Sequence, residues 1–148
     1  MRRAVAGAAA LLVLLTGCGE DEPDSAPSVQ VTVGPQDVSA EPTQYCLDGE
    51  GQRYTSVQPP IIEVSPDAPI TITVPDAVAE RGWSVQIFDD KLEEQLGAVE
   101  VEPGTTSFDG VPSSEDLPPA FYLVVVEGKG TDCGEFSGAW PIGFIRAE

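Results

Sequence analysis

The feature that most constrains this chain is an alternation of apolar and polar residues, interrupted at short intervals by residues that form turns. Val29, Val31 and Val33 begin the pattern, each separated from the next by one residue. A spacing of two places side chains on one face of a β-strand, whereas a helical face needs a spacing of three or four. The same alternation recurs in the runs Ile70, Ile72, Val74; Trp83, Val85, Ile87; Val99, Val101; and Trp140, Ile142, Phe144.

Turn signals separate these runs. The chain contains 14 Pro and 15 Gly, which interrupt it too often for long helices. The turn signals are Gln58-Pro59-Pro60, Ser65-Pro66-Asp67, Pro103-Gly104, Asp109-Gly110 and Gly128-Lys129-Gly130. Short strands at regular spacing predict an all-β fold, an antiparallel, immunoglobulin-like β-sandwich of roughly seven or eight strands. The immunoglobulin-like topology is favoured by Trp83 at the start of an inward-facing strand and by Tyr122 after a Pro-rich segment.

Other segments predict where the core and the short helices lie. The run FYLVVV, residues 121–126, is apolar at every position and predicts a central strand covered on both faces. Trp140 and Phe144 share the parity of Ile142 and are expected in the core, with an exposed patch on an edge strand as the alternative. Residues 76–81 and residues 89–96 are each expected to form a helical turn.

The N-terminus has the layout of an export signal. Arg2 and Arg3 precede an apolar run from Ala4 to Leu15, which is shorter than the roughly 20 residues of a membrane-spanning helix. Leu15-Thr16-Gly17-Cys18 resembles the bacterial lipobox, and this resemblance implies cleavage before Cys18 and lipidation of its thiol. The alternative is an ordinary cysteine near a conventional cleavage site. We therefore expect a signal peptide at 1–17, a lipidated cysteine with an acidic flexible tether at 18–28, and a β-sandwich domain at 29–148.

The charge of the chain limits its partners. Removal of Arg2 and Arg3 takes 7 basic residues to 5 against 25 acidic ones, so the mature chain would carry a net charge of −20. Such a surface repels phosphate backbones and anionic headgroups, which argues against nucleic-acid binding and against electrostatic attachment to membranes. We therefore expect membrane attachment through covalent lipid, on the extracytoplasmic face of the cell membrane.

Two cysteines remain once Cys18 is assigned to lipid. Cys46 and Cys133 form an even pair, and in an oxidising compartment a disulfide is expected. A redox pair is the alternative, but the two residues lack the CxxC spacing that tunes a reactive thiolate.

No set of residues amounts to a catalytic site. The chain has no His and no Asn, which removes the commonest general base, the commonest transition-metal ligand and any Ser-His-Asp arrangement. We expect no cofactor and no enzymatic activity. Two alternatives stay open, a hydrolase that uses carboxylates alone and a calcium-binding protein. The weak metal candidates are the acidic cluster Asp89, Asp90, Glu93 and Glu94, which does not follow the EF-hand pattern and is more typical of a solvated turn.

The lipobox, the acidic tether, the single cysteine pair and the Val-rich domain ending in GAWPIGFIRAE together resemble the small actinobacterial lipoprotein families of unknown function, the DUF2771 proteins among them. The resemblance implies an exported envelope protein with an immunoglobulin-like domain, and it implies no activity and no catalytic residues. The expected function is a non-enzymatic binding or interaction module of the envelope. Its partner would be an envelope protein, a wall polymer or a small ligand bound through loops on a rigid scaffold.

Overall fold

The computed structural model describes residues 26–112, 116–128, 133–134 and 137–147, which form eleven strands and one short helix. The elements are β1 Val29–Val33, β2 Gln36–Ala40, β3 Gln44–Leu47, β4 Glu50–Arg53, β5 Ile61–Val64, β6 Pro69–Thr73, α1 Asp76–Arg81, β7 Trp83–Phe88, β8 Gln95–Val101, β9 Ser107–Pro112, β10 Ala120–Glu127 and β11 Ala139–Arg146.

The strands form two sheets packed face to face. The first sheet has the order β2-β1-β6-β9, and the second has the order β4-β3-β11-β10-β7-β8, with β5 added beside β11. The predicted two-sheet antiparallel sandwich is therefore confirmed. The strand number is eleven instead of seven or eight, because β2 to β5 have only four or five residues each and show too little alternation to be recognised.

Strand β11 organises the second sheet. One edge of it pairs with β10 along almost its whole length. The other edge is shared, since Ala139 pairs with β3 in antiparallel fashion and Gly143 to Arg146 pair with β5 in parallel. Gly143 donates its backbone N–H to Pro60 on this shared edge, so Pro141, two residues earlier, faces the same edge in the gap between β3 and β5. A proline is tolerated inside this strand because its missing N–H would have no partner there.

The core lies between the sheets and is built from the residues that the alternation predicts. Val29, Ile70, Trp83, Leu123 and Ile142 are all buried. Trp140 and Phe144 are also buried, so their predicted place in the core is confirmed. Aromatic contacts connect the strands: Phe121 stacks on Phe144 at 5.3 Å, Trp140 meets Tyr45 edge-on at 5.9 Å, and Trp83 meets Phe108 edge-on at 6.3 Å between ring centroids.

Strand β10 is central, as predicted, between β11 and β7. Its two faces differ, however. Phe121, Leu123 and Val125 are fully buried between the sheets, whereas the side chains of Tyr122, Val124 and Val126 are only half-buried on the outer face. The prediction that this strand is covered on both faces is therefore wrong, because no second layer packs on the outer face within the described ranges.

One of the two expected helical turns is present. Residues 76–81 form α1, which buries Val78 and Ala79 and ends at Gly82 with φ at 80°. The helical turn expected at residues 89–96 is wrong, since this segment is the loop of the β7–β8 hairpin and the start of β8. The apolar spacing resembled a helix, but pairing of Asp89 with Glu94 through the backbone closes a hairpin instead.

The sandwich has two distinguishable ends. The near end is where the chain enters β1, and there the indole N–H of Trp140 donates a 2.8 Å hydrogen bond to the carbonyl oxygen of Pro27. This end also holds α1 and the close of β10. The far end holds the β7–β8 hairpin loop and the close of β11 at Arg146. Any tether that precedes residue 26 therefore meets the domain at the near end.

Candidate functional site

The cysteine pair predicted from the sequence is joined. Cys46 in β3 and Cys133 form a disulfide with a Cα–Cα distance of 5.9 Å. The bond ties β3, the strand next to the edge strand β4, to the segment that follows β10. Cys18, the predicted lipidation site, and the rest of the predicted signal peptide lie outside the described residues. Among the helices that the structure describes, none is long and apolar enough to cross a membrane.

A buried ion pair lies beside the disulfide-linked strand at the near end. Glu127 closes β10 with its side chain pointing between the sheets, and its relative exposure is 1%. The Arg81 guanidinium approaches from α1 and contacts Glu127 Oε1 at 3.3 Å. The other carboxylate oxygen, Oε2, is buried and has no hydrogen-bond partner among the described residues. The site is therefore a carboxylate held in the core with one of its oxygens satisfied.

The electrostatics of this site follow from burial. Removal from water raises the pKa of Glu127 above its usual value, while the positive charge of Arg81 and the backbone at Gly138 oppose that rise. Burial also raises the pKa of Tyr45, and the negative charge of Glu127 adds to the effect. Arg81, whose side chain is 37% exposed, links the buried carboxylate to solvent.

The Glu127 site contains one carboxylate paired with one arginine. Glycoside hydrolysis by carboxylates needs two of them at a defined separation. In the described part of the chain, Arg81 is the one charged side chain whose field acts on the Glu127 pKa. A lone buried glutamate paired with arginine is suited to fixing the position of α1 against the sheet, and one partly satisfied charge adds little net stability.

The acidic cluster predicted as a weak metal candidate lies on the far end. Asp89 accepts backbone hydrogen bonds from Glu93 at 2.8 Å and Glu94 at 3.2 Å, and the first of these is the largest cause that lowers the pKa of Asp89. Its carboxylate is thus engaged in closing the hairpin loop. Asp90, Glu93 and Glu94 are exposed. Across residues 26–112 and the shorter described segments, no group of three or more acidic or cysteine side chains is placed to hold a metal ion.

A shallow apolar depression lies on the outer face of the second sheet, toward the far end. Its volume is about 160 Å³, and its lining consists of Ile61, Asp90, Ala120, Phe121, Tyr122, Gly143, Phe144 and Ile145. Gly143 belongs to this lining, and a Cβ at this position would collide with Ile61 Cδ1 and lie 3.1 Å from Tyr122 Cε1. Ile61 and Ile145 stand at its rim with exposed fractions of 54% and 46%. The absence of a side chain at Gly143 therefore lets Ile61 and Tyr122 pack closely over β11 beside the depression.

Neither the buried ion pair nor the depression was predicted from the sequence. One signal for Glu127 was present: it continues the parity of Phe121, Leu123 and Val125, so an inward-facing glutamate follows from the strand pattern. No comparable signal exists for the depression. Ile61 and Ile145 are 84 residues apart in the chain, and only the parallel pairing of β5 with β11 brings them to one face.

Comparison with known proteins gives one family. A family described as protein of unknown function, DUF2771, matches residues 22–129. The match covers most of the chain and ends before β11. No curated protein and no solved structure matches the chain.

Proposed function

This chain is a member of the DUF2771 family of proteins of unknown function, and we propose that it is a lipid-anchored, extracytoplasmic binding module of the bacterial cell envelope. The proposal has two parts, an address outside the membrane and a role in binding without catalysis.

One observation carries the address. The disulfide uses Cys46 and Cys133, which leaves Cys18 as the third and last cysteine of the chain. Cys18 follows Leu15-Thr16-Gly17 at the end of an apolar run, where a lipobox cysteine stands. A disulfide is also typical of proteins that fold outside the cytosol. Two acyl chains anchor a protein stably where one does not, and they do so without positive charge on the protein.

The binding role is supported by the kinds of surface that the domain presents. A rigid sandwich carries a hairpin loop at its far end and an apolar depression on an outer face. An apolar depression of this size has room for one side chain of a binding partner. The chain has no histidine, and the carboxylate with the raised pKa, Glu127, is sealed in the core instead of facing the depression. Among the residues that the structure describes, no observation favours the hydrolase or the calcium-binding alternative.

The address is tested by expressing the full chain in a bacterium that processes lipoproteins. We expect the protein in the membrane fraction, with an N-terminal peptide that begins at Cys18 and carries diacylglyceryl by mass spectrometry. Cys18→Ala removes the thiol and should leave the chain uncleaved and unlipidated. The double variant Cys46→Ser and Cys133→Ser is the matched control, because it removes two cysteines and should stay lipidated. Recovery of the wild-type chain from the cytosol, or an unmodified Cys18, would contradict the proposal.

A further inference from the structure

Acidic side chains lie beside the apolar depression. Asp90 belongs to its lining. Glu63 is exposed in β5, two residues after Ile61, and pairs in register with Ile145 on the neighbouring strand. Because alternate residues of a strand share a face, Ile61 and Glu63 stand side by side on the outer face. An apolar centre is thus bordered by carboxylates on two sides.

The size of the depression limits what fits into it. An apolar protein cavity of about 150 Å³ holds a molecule the size of benzene. The 160 Å³ depression therefore has room for one aliphatic or aromatic side chain, and it is too small for an extended acyl chain. Interfaces commonly depend on one such anchoring side chain in a pocket, surrounded by a polar margin.

The charge determines the kind of partner. A second copy of this chain would bring its own excess of acidic residues, 25 against 7 basic ones, against the carboxylates at the margin. Anionic lipid and nucleic acid are repelled for the same reason. A partner with basic residues around an apolar side chain is bound favourably for two reasons. Its positive charges complement Glu63 and Asp90, and its apolar side chain is removed from water.

We propose that the depression formed by Ile61, Tyr122, Gly143 and Ile145 is a docking site for a basic protein segment that inserts one apolar side chain between flanking lysines or arginines. The proposal deepens the binding role above and rests on it. The location of the depression on the domain also suits a docking site. Ile145 lies five positions along β11 from Trp140, which contacts Pro27, so the depression lies about 16 Å along the strand from the end at which Pro27 is held.

The experiment measures binding of synthetic peptides to the full chain, purified in nonionic detergent from whichever cell fraction contains it. The probe is the fluorescent heptapeptide Gly-Lys-Lys-Leu-Lys-Lys-Gly. Two control peptides replace its leucine with serine or its lysines with glutamates. At physiological salt we expect the leucine peptide to bind about tenfold more tightly than the serine peptide, because the leucine side chain is buried. The glutamate peptide should not bind.

Variants of the lining residues test whether the peptide binds at the depression. Ile145→Asn removes the apolar rim and should weaken binding of the leucine peptide about tenfold. Glu63→Gln removes one negative charge at the margin of the depression. It should weaken binding of the leucine peptide about threefold and make the binding less dependent on salt. The matched controls are Leu92→Asn, an exposed apolar residue outside the lining, and Glu100→Gln, an acidic residue of β8 near the opposite end of the same sheet. Both controls should stay within about twofold of wild type.

Three results would overturn the proposal: no binding of the leucine peptide, equal binding of the leucine and serine peptides, or equal losses in the site variants and their controls. Each variant is first shown to melt within a few degrees of wild type, which these exposed positions make expected. Lipidation is read separately from the mass of the N-terminal peptide. Failure of the anchor and failure of the docking site are thus distinguishable.

Discussion

At the scale of single residues, the most unusual feature is Glu127, a carboxylate placed in an apolar interior with one contact to Arg81. Placing a charge out of water is unfavourable, and a single ion-pair contact compensates for it only in part. Its buried second oxygen has no partner among the described residues, which agrees with a pKa raised by burial. Ionisation of this one group therefore opposes folding at neutral pH.

The pH dependence of stability tests this assignment. The folded-state pKa of Glu127 is above its unfolded value, so its contribution is most favourable below the unfolded pKa and is lost as pH rises through the folded pKa. The loss is about 1.4 kcal/mol for each pH unit between the two values. Glu127→Gln stays neutral, so its stability relative to wild type should increase from pH 4 to pH 7, as measured by urea unfolding. Glu100→Gln, on the exposed β8 strand, is the control and should not show this increase. A constant difference for Glu127→Gln would contradict the raised pKa.

At the scale of elements, β10 and β11 form the centre of the second sheet and connect the core to the outer face. The inner residues of β10 are fully buried and the outer ones half-buried. On β11, residues 140–144 are buried at every position, because Ile61 and Tyr122 cover Gly143 from outside. At its centre the sheet thus has a buried inner face and a partly covered outer face on which the depression lies.

Substitution of two neighbouring aromatic residues of β10 tests how tightly each face of the strand is packed. Phe121 is 1% exposed and stacks on Phe144, so Phe121→Ala should leave a cavity and lower the free energy of unfolding by about 3–5 kcal/mol. Tyr122 lies next to it on the outer face and is half-buried, so Tyr122→Ala should cost about 1–2 kcal/mol. Urea unfolding of both variants gives the comparison. Equal losses would show that the outer face is as tightly packed as the inner one.

At the scale of the whole molecule, the disulfide closes a long loop, since Cys46 and Cys133 are separated by 87 residues. The bond connects β3, near one edge of the second sheet, with the segment after its central strand. The loop includes β4 to β10, and therefore most of the domain. A cross-link of this span mainly restricts the unfolded chain.

Removing the disulfide should therefore destabilise the domain without changing its fold. The chain-entropy treatment gives about 4–5 kcal/mol for a loop of this length, as an upper value. The double variant Cys46→Ser and Cys133→Ser should unfold at a lower urea concentration and keep the β-rich circular dichroism spectrum. Wild type in reducing agent should behave in the same way, while the double variant should not respond to the reductant. An unchanged midpoint would mean that the bond does not constrain the unfolded state.

The fold class, the core of the long strands, the cysteine pair and helix α1 were all predictable from the sequence alone. These features depend on local spacing: strand alternation, an even cysteine count and a short run of helix formers are readable within a few residues. The helical turn predicted at residues 89–96 is wrong because an acidic segment with two leucines fits a helix pattern and a β-hairpin equally well.

The pairing of Glu127 with Arg81 and the position of Ile61 and Ile145 in one depression depend on the tertiary structure. Both arrangements bring together residues far apart in the chain, and both depend on strand order and register. The alternation of apolar and polar residues shows which face of the strand a residue occupies. It does not show which strand becomes the neighbour, since many pairings bury the same apolar face. The family match and the local motifs carry no such information, and the candidate sites of this protein consist of those long-range neighbours.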